Sequence, residues 1–172
     1  ARGLLARAAC LAPGEPIPRT LLAATVEATG DEAPIQVEDA LARLVELGVL
    51  EERGEGALWL HRLLAAFARE ALADTTAQAA VERAVGQHAY ALNAAGYPLA
   101  MLPVLAHLRF VADAALPRAD AGAALLSNEL GFALQAQGDL AGARGYYEQA
   151  LAVDQAVLGP RHPSTATSLN NL

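Results

Sequence analysis

Apolar residues at the start of the chain recur at the spacing of a helix. The segment "LLARAACLA" follows this spacing and is ended by Pro13 and Gly14, which predicts a first helix. A second helix is predicted from Pro18 to about Ala28, because proline suits a first helical position and Gly30 lies just past the end. The opening of the chain therefore favours two helices joined by a short turn.

The next part of the chain changes from helical to strand-like patterning and back. In "VEDALARLVELG" the apolar residues recur at i, i+3, i+4, i+7 and i+8 from Val37, and Gly48 supplies a stop, so a third helix is predicted. Two short apolar stretches, 49–50 and 57–60, then flank a polar segment that contains glycines, a pattern typical of a β-hairpin. Helical spacing returns in "RLLAAFAREAL". Three helices, a hairpin and a closing helix predict a winged-helix domain over residues 1–72.

The rest of the chain contains an internal repeat with an offset of 42 residues. Each copy is predicted to form two helices, and in the second copy Gly138 marks the turn and Asp139 the N-cap of the following helix. A helix pair cannot bury both of its faces alone, so the pairs are predicted to stack into an α-α solenoid. The identical pairs are Ala91/Ala133, Leu92/Leu134, Ala94/Ala136, Gly96/Gly138, Val111/Val153, Ala114/Ala156 and Leu116/Leu158, with Ala124/Ala166, Asn128/Asn170 and Leu130/Leu172 in a third copy.

The second copy resembles the tetratricopeptide repeat. Leu130-Gly131, Leu134, Gly138, Ala143-x₃-Tyr147 and Ala150 follow that family's pattern. The 42-residue period and "LGPRHP" are similar to the variant found in kinesin light chains and bacterial signalling proteins, whereas a HEAT or armadillo array fits the period but not this segment as well. The resemblance implies that small residues at Gly131 and Ala143 let the paired helices approach, while Tyr147 fills the gap.

The repeat predicts the organisation of the rest of the chain. Residues 73–121 are expected to hold a linker helix and a degenerate repeat, because Ala89 and Met101 replace the small residues of the pattern. A full repeat is expected over 122–163, and 164–172 are expected to be the start of a further, truncated one. Four aromatic side chains fall at helix-packing spacing and are predicted to lie in the core: Tyr90, Phe132, Tyr146 and Tyr147.

Composition agrees with a mainly helical protein and limits its partners. Hydrophobic residues make up 54% and aromatic residues 5%, so alanine-rich helix packing is favoured over sheets. The chain has no lysine, and its 12 arginines face 19 acidic residues for a net charge of −7. Such a chain has no general attraction for nucleic acid or for anionic membranes. We therefore expect neither as a partner.

Few residues offer metal, redox or membrane chemistry. The single cysteine, Cys10, lies in an apolar run and is predicted to be a small core residue. His88, His107 and His162 have no cysteine or carboxylate at ligand spacing, so no metal site is expected. No uninterrupted apolar stretch approaches the roughly 20 residues of a membrane span. A cytoplasmic protein is expected.

A winged helix followed by tetratricopeptide repeats resembles the C-terminal half of STAND-type signalling ATPases with an NB-ARC core. In that family a histidine at the start of the winged helix's last helix contacts the β-phosphate of ADP, and His61 occupies the matching place. Leu60 and Arg62 stand where the family has methionine and aspartate. The alternative is that His61 only starts a helix and bonds nearby backbone. The resemblance implies ADP or ATP in a full-length parent and no cofactor in this part, which we expect to be an excised piece.

Enzymatic activity is not expected, since a G-x₄-G-K-[ST] loop requires a lysine that the chain lacks. The leading hypothesis is a non-catalytic regulatory fragment whose winged helix packs on the parent's nucleotide-binding domain and whose repeats bind a protein or peptide. In the repeat family, first helices line the concave face, which implies peptide contacts at Asn128, Gln135 and Asn170. Asparagines there could equally bond one repeat to the next. The carboxylate clamp for chaperone tails is not expected without lysines.

Two alternatives remain open at this point. One is a DNA-binding winged-helix transcription regulator with a repeat sensor, although Glu38, Asp39 and Glu46 outnumber Arg43 on the third helix and would repel phosphate. The other is a stand-alone tetratricopeptide adaptor.

Overall fold

The structure is a computed structural model that describes residues 1–26, 33–54 and 56–172. The chain divides into two units, Ala1–Ala84 and Val85–Leu172. Within the described residues, the helices are α1 (Arg2–Ala9), α2 (Arg19–Ala24), α3 (Ala33–Glu46), α4 (Arg62–Leu72), α5 (Thr75–Ala95), α6 (Pro98–Ala115), α7 (Ala121–Ala136), α8 (Leu140–Val157) and α9 (Pro163–Asn171). The strands are β1 (Ile17–Pro18), β2 (Glu51–Arg53) and β3 (Ala57–Trp59), and a 3-10 turn spans Leu116–Arg118.

The first unit is built around a small antiparallel sheet in the order β1-β3-β2. The predicted hairpin is confirmed as β2 and β3, with Glu52 opposite Leu58. Leu58 is fully buried and also pairs with Ile17 of β1, so the central strand holds the sheet to the core. Leu11, Leu21, Leu22, Leu41 and Leu50 are further large side chains of this core.

The second predicted helix differs from the one observed. Pro18 ends β1 with an extended backbone (ψ 127°) and serves as the N-cap of α2, so the helix begins at Arg19. It ends at Ala24, because the Thr25 hydroxyl turns back and donates to the carbonyl of Leu22 at 2.6 Å. The predicted helix end at Ala28 and stop at Gly30 lie outside the described residues. Strand β1 was not predicted, since two residues carry no periodicity.

Side-chain to backbone hydrogen bonds hold the end of α1 and the loop that follows. Arg69 on α4 donates to the carbonyl of Ala9 at 2.8 Å, where a helix C-terminus presents unpaired carbonyls. The indole of Trp59 donates to the carbonyl of Gly14 at 3.1 Å. Cys10 lies beside this end of α1, is only half-buried, and burial raises the pKa of its thiol.

In the second unit, helices α6, α7, α8 and α9 pack against one another in sequence order. The predicted turn is confirmed: Gly138 has φ +85°, and its equivalent one period earlier, Gly96, has φ +70°. Asp139 caps α8 by accepting from the amide of Gly142 at 2.9 Å. The equivalent residue Tyr97 precedes α6 without a side-chain capping bond.

Helices α7 and α8 pack closely together at Gly131. A Cβ atom at Gly131 would lie 2.6 Å from Cε1 of Tyr147, which is closer than carbon atoms can approach. Tyr147 is 2% exposed, and Ala143 and Ala150 on the same face of α8 are buried as well. The predicted role of these residues in helix approach is therefore confirmed.

Helix α6 is long and strongly apolar. In the described part of the chain, the segment Pro98–Arg118 is long and apolar enough to cross a membrane by length and composition, and 39% of its apolar 18-residue stretch is buried inside the structure. Core helices of soluble proteins also meet this criterion. Its fully buried residues include Leu108 and Ala112.

We expect Gly131→Ala to destabilise the second unit. Overpacking in a core costs about 1–3 kcal/mol, and a Cβ 2.6 Å from the Tyr147 ring places the cost in the upper part of this range, above the roughly 1 kcal/mol that alanine gains over glycine in a helix. Gly145→Ala on α8 is the matched control, because a Cβ there meets nothing within 4 Å and should stabilise the unit. All four tyrosines lie in residues 85–172 and the single tryptophan in residues 1–84, so urea unfolding can be followed for each unit separately. Equal stabilisation by both substitutions would contradict the packing described.

Candidate functional site

A groove opens among α5, α7 and α9, the three helices that begin successive copies of the repeat. Its volume of about 310 Å³ is at the lower end of the range for ligand-binding pockets. The residues that line it are Tyr90, Ala121, Leu125, Asn128, Glu129, Asp154, Leu158, Ser164 and Thr167. Three of the four helices that supply them are first helices of a repeat. The groove is thus a product of repeat stacking.

Two large apolar side chains on the groove remain open to solvent. Tyr90 on α5 is 63% exposed and Leu125 on α7 is 51% exposed. Leu158, at the end of α8, is partly exposed in the same groove. Apolar surface of this kind in a concavity is available for contact with a ligand.

A chain of directed hydrogen bonds lies beneath these side chains. Asn171 donates to Oδ1 of Asn128 at 3.3 Å, and Nδ2 of Asn128 donates to the hydroxyl of Ser168 at 2.9 Å. Ser168 in turn donates to Oδ2 of Asp154 at 2.7 Å. Because Ser168 has one proton and gives it to the carboxylate, its oxygen must accept from Asn128. The network therefore links α7, α8 and α9 and ends on a carboxylate that is 3% exposed.

Glu129 supplies a second carboxylate to the groove. Nδ2 of Asn93 donates to Oε2 of Glu129 at 2.7 Å and to its backbone carbonyl at 3.1 Å. Burial raises the pKa of Glu129, and the bond from Asn93 opposes this shift only in part. In the residues that the structure describes, Oε1 of Glu129 has no protein partner. This oxygen is free to accept from a ligand.

The structure brings one of the three predicted peptide-binding residues to the groove. Asn128 lines it, and its amide bonds one repeat to the next. Gln135 accepts from the hydroxyl of Tyr147 at 3.0 Å and is not among the lining residues. Asn170 is exposed near the end of α9 and also lies outside the lining set. A peptide-binding role for these residues stays a prediction.

Residue patterns alone missed the two carboxylates and misplaced two aromatic side chains. Asp154 follows Tyr147 and Ala150 at helical spacing, which places it on the same face of α8 as these two residues. An acidic residue on that face was the signal in the sequence that could have indicated a polar site. Tyr147 is buried as predicted, whereas Tyr90 and Phe132, at 63% and 45% exposure, are not core residues.

Tyr146 occupies an intermediate position between core and surface. Its hydroxyl donates to Oδ1 of Asp113 at 2.7 Å, which ties α8 to α6. Burial and this bond raise the pKa of Tyr146 to about 12.

His61 lies in the first unit at the start of α4. Its Nδ1 accepts from the amide of Leu63 at 3.2 Å, and its ring stands edge-on to Trp59 with centroids 5.4 Å apart. His162 caps α9 in the same way through the amide of Ser164. The side chain of His61 is exposed, and the capping bond uses only Nδ1 of the ring. A nucleotide contact at His61 stays a prediction.

We expect Ser168→Ala to destabilise the second unit by about 1–3 kcal/mol, since it leaves Asp154 and Asn128 buried or half-buried without their shared partner. Thr167→Ala is the matched control on the same helix. Its hydroxyl is exposed and donates only to the carbonyl of Pro163 at 3.2 Å, so a change within about 0.5 kcal/mol is expected. Urea unfolding followed by the tyrosine near-UV signal compares the two. Similar urea midpoints for the two variants would show that the hydrogen-bond network contributes little to the stability of the second unit.

Comparison with known proteins agrees with the helix pairing of the second unit. Residues 122–172, which cover α8, α9 and all of α7 except its first residue, match the family model described as Tetratricopeptide repeat. Neither the search of curated proteins nor the search of solved structures gave a match. Residues 122–172 are therefore similar to the tetratricopeptide repeat, a family whose members generally bind protein or peptide partners.

Proposed function

We propose that this chain is a non-catalytic regulatory and interaction part of a STAND-type signalling ATPase, in which the repeats bind an extended peptide. The groove among α5, α7 and α9 is the observation that supports peptide binding. It combines exposed apolar side chains, Tyr90 and Leu125, with polar groups that fix orientation. The hydroxyls of Ser164 and Thr167 lie at its edge and can accept from a peptide backbone.

The architecture of the first unit supports a winged helix. The element order α1-β1-α2-α3-β2-β3 and the antiparallel strand order β1-β3-β2 fit three helices followed by a hairpin wing. In the proposed parent this domain packs on a nucleotide-binding domain. Leu63 and Phe67 on α4 are 68% and 66% exposed and one helical turn apart, so they offer an apolar contact for it.

The proposed nucleotide contact depends on the position of His61. It is exposed at the start of α4, two residues before Leu63. A domain seated on that end of α4 would bring the phosphates of ADP or ATP within reach of the imidazole. In the parent, ligand binding to the repeats would shift the balance between closed and open states through contacts that differ between them. A cytoplasmic location is part of this proposal.

The charges on the first unit argue against the alternative of a DNA-binding regulator. Arg19 pairs with Glu38 of α3 at 2.5 Å and with Glu52 of β2 at 2.7 Å, so its charge is neutralised within the protein. Arg43 pairs with Glu46 at 3.0 Å on the same helix. Acidic groups on both the helix and the wing would repel a phosphate backbone. A stand-alone repeat adaptor is the remaining alternative, and it shares the peptide groove.

Peptide binding can be tested by panning a displayed library of random heptapeptides against the whole chain. We expect enriched sequences, and we expect Thr167→Trp to abolish their binding because the indole would fill the groove from α9. Ala166→Trp is the matched control, since Ala166 is exposed on the same helix but does not line the groove. An unenriched library, or equal binding by both variants, would contradict a peptide site in this groove.

The signalling-ATPase assignment is tested by the coding sequence upstream of Ala1. We expect a G-x₄-G-K-[ST] phosphate-binding loop within a few hundred residues, followed by a small helical domain. A parent gene without this loop would contradict the assignment and favour the stand-alone adaptor. The panning result above is independent of this outcome.

A further inference from the structure

We propose that the groove selects peptides by a cationic side chain, an arginine or lysine with an apolar residue beside it. The inference rests on the proposed peptide-binding function and specifies the ligand of that same groove. Its basis is the charge and the apolar surface that the groove presents together.

The negative charge in the groove is not balanced by the residues that line it. Glu129 and Asp154 both line it, and none of its nine lining residues is basic. Asp154 is 3% exposed, and its partner in the described part of the chain is the neutral hydroxyl of Ser168. A buried carboxylate is costly without a nearby cation, because the low-dielectric surroundings do not screen its charge. A positively charged ligand would lower this cost.

Glu129 can contact such a ligand directly. Asn93 occupies Oε2, which leaves Oε1 open toward a donor. A guanidinium or ammonium group bound there would form a charge-assisted hydrogen bond, which is stronger than a bond between neutral groups. Because the carboxylate is half-buried, the pair would be less screened by water and salt than a surface ion pair.

The apolar walls fit the rest of a long basic side chain. Arginine and lysine carry their charge on a methylene stem that packs on apolar surface. Leu125 and Leu158 offer such surface, and the exposed ring of Tyr90 can stack on a guanidinium plane. A neighbouring apolar residue of the peptide would fill the remaining space. An acidic peptide would instead meet two carboxylates, and the net charge of −7 would disfavour its approach.

The inference is tested by the composition of the heptapeptides that the groove selects. We expect enrichment of arginine or lysine next to an apolar residue. For a synthetic, fluorescein-labelled copy of the most enriched peptide, Glu129→Gln should weaken binding about tenfold, which corresponds to the loss of one charge-assisted contact. Glu148→Gln is the matched control, because it changes the net charge by the same amount. Glu148 is exposed on α8, pairs with Arg144 and does not line the groove.

The outcomes separate this inference from the proposed function. Selected peptides that are acidic or uncharged would overturn the charge preference while leaving a peptide groove in place. Equal affinity of the Glu129→Gln and Glu148→Gln variants would also overturn it. A library without enrichment would instead contradict peptide binding itself. Both glutamines are isosteric with glutamate, and urea unfolding of each variant establishes that the affinities compare folded proteins.

Discussion

The ring of Tyr147 rests directly against the backbone of Gly131, and this contact sets how closely α7 and α8 can lie. A side chain at position 131 would have to occupy the space of the ring, whose surroundings are buried and cannot yield without cost. Ala143 and Ala150 are small buried residues on the same face of α8. Close approach of this pair brings the far end of α8 under α7 and α9, where Leu158 and Asp154 reach the groove. The groove thus depends on the contact between Gly131 and Tyr147, although neither residue lines it.

Polar groups where α7, α8 and α9 meet form hydrogen bonds that fix the register of these helices. Each member of the chain Asn171–Asn128–Ser168–Asp154 has a defined role as donor or acceptor, so a shift of α9 by one residue would leave several of them unpaired. Apolar contacts among alanine-rich helices are less selective for register, because neighbouring positions are alike in size. The network therefore specifies the register of one repeat on the next. It also buries a carboxylate at a position where an apolar residue would cost less free energy.

The sequence predicted features that depend on neighbouring residues better than features that depend on distant ones. The turn at Gly138, the cap at Asp139 and the contact between Gly131 and Tyr147 each lie within one helix pair, and the structure confirms them. Strand β1 forms only because Ile17 finds Leu58 across the sheet, so its own residues carried no signal. Tyr90 has the sequence spacing of a core residue. Whether its face of α5 is buried depends on which other helix packs against that face, and the residues of α5 do not determine this. The groove is lined by four helices, α5, α7, α8 and α9. A groove formed by stacked repeats could be expected from the sequence, but the residues that line it could not be identified.

Two arginines of the second unit are paired with acidic residues that do not line the groove. Arg118 pairs with Asp120 at the start of α7, and Arg144 pairs with Glu148 along α8. These arginines are placed beside surface acids near them in sequence, where the ion pairs are exposed and contribute little to stability. Glu129 and Asp154 receive amide and hydroxyl donors instead, which satisfy hydrogen bonding without supplying positive charge. Carboxylates that accept only from neutral donors keep their negative charge uncompensated, and in a concave, partly apolar site that charge acts on any group that enters from solvent.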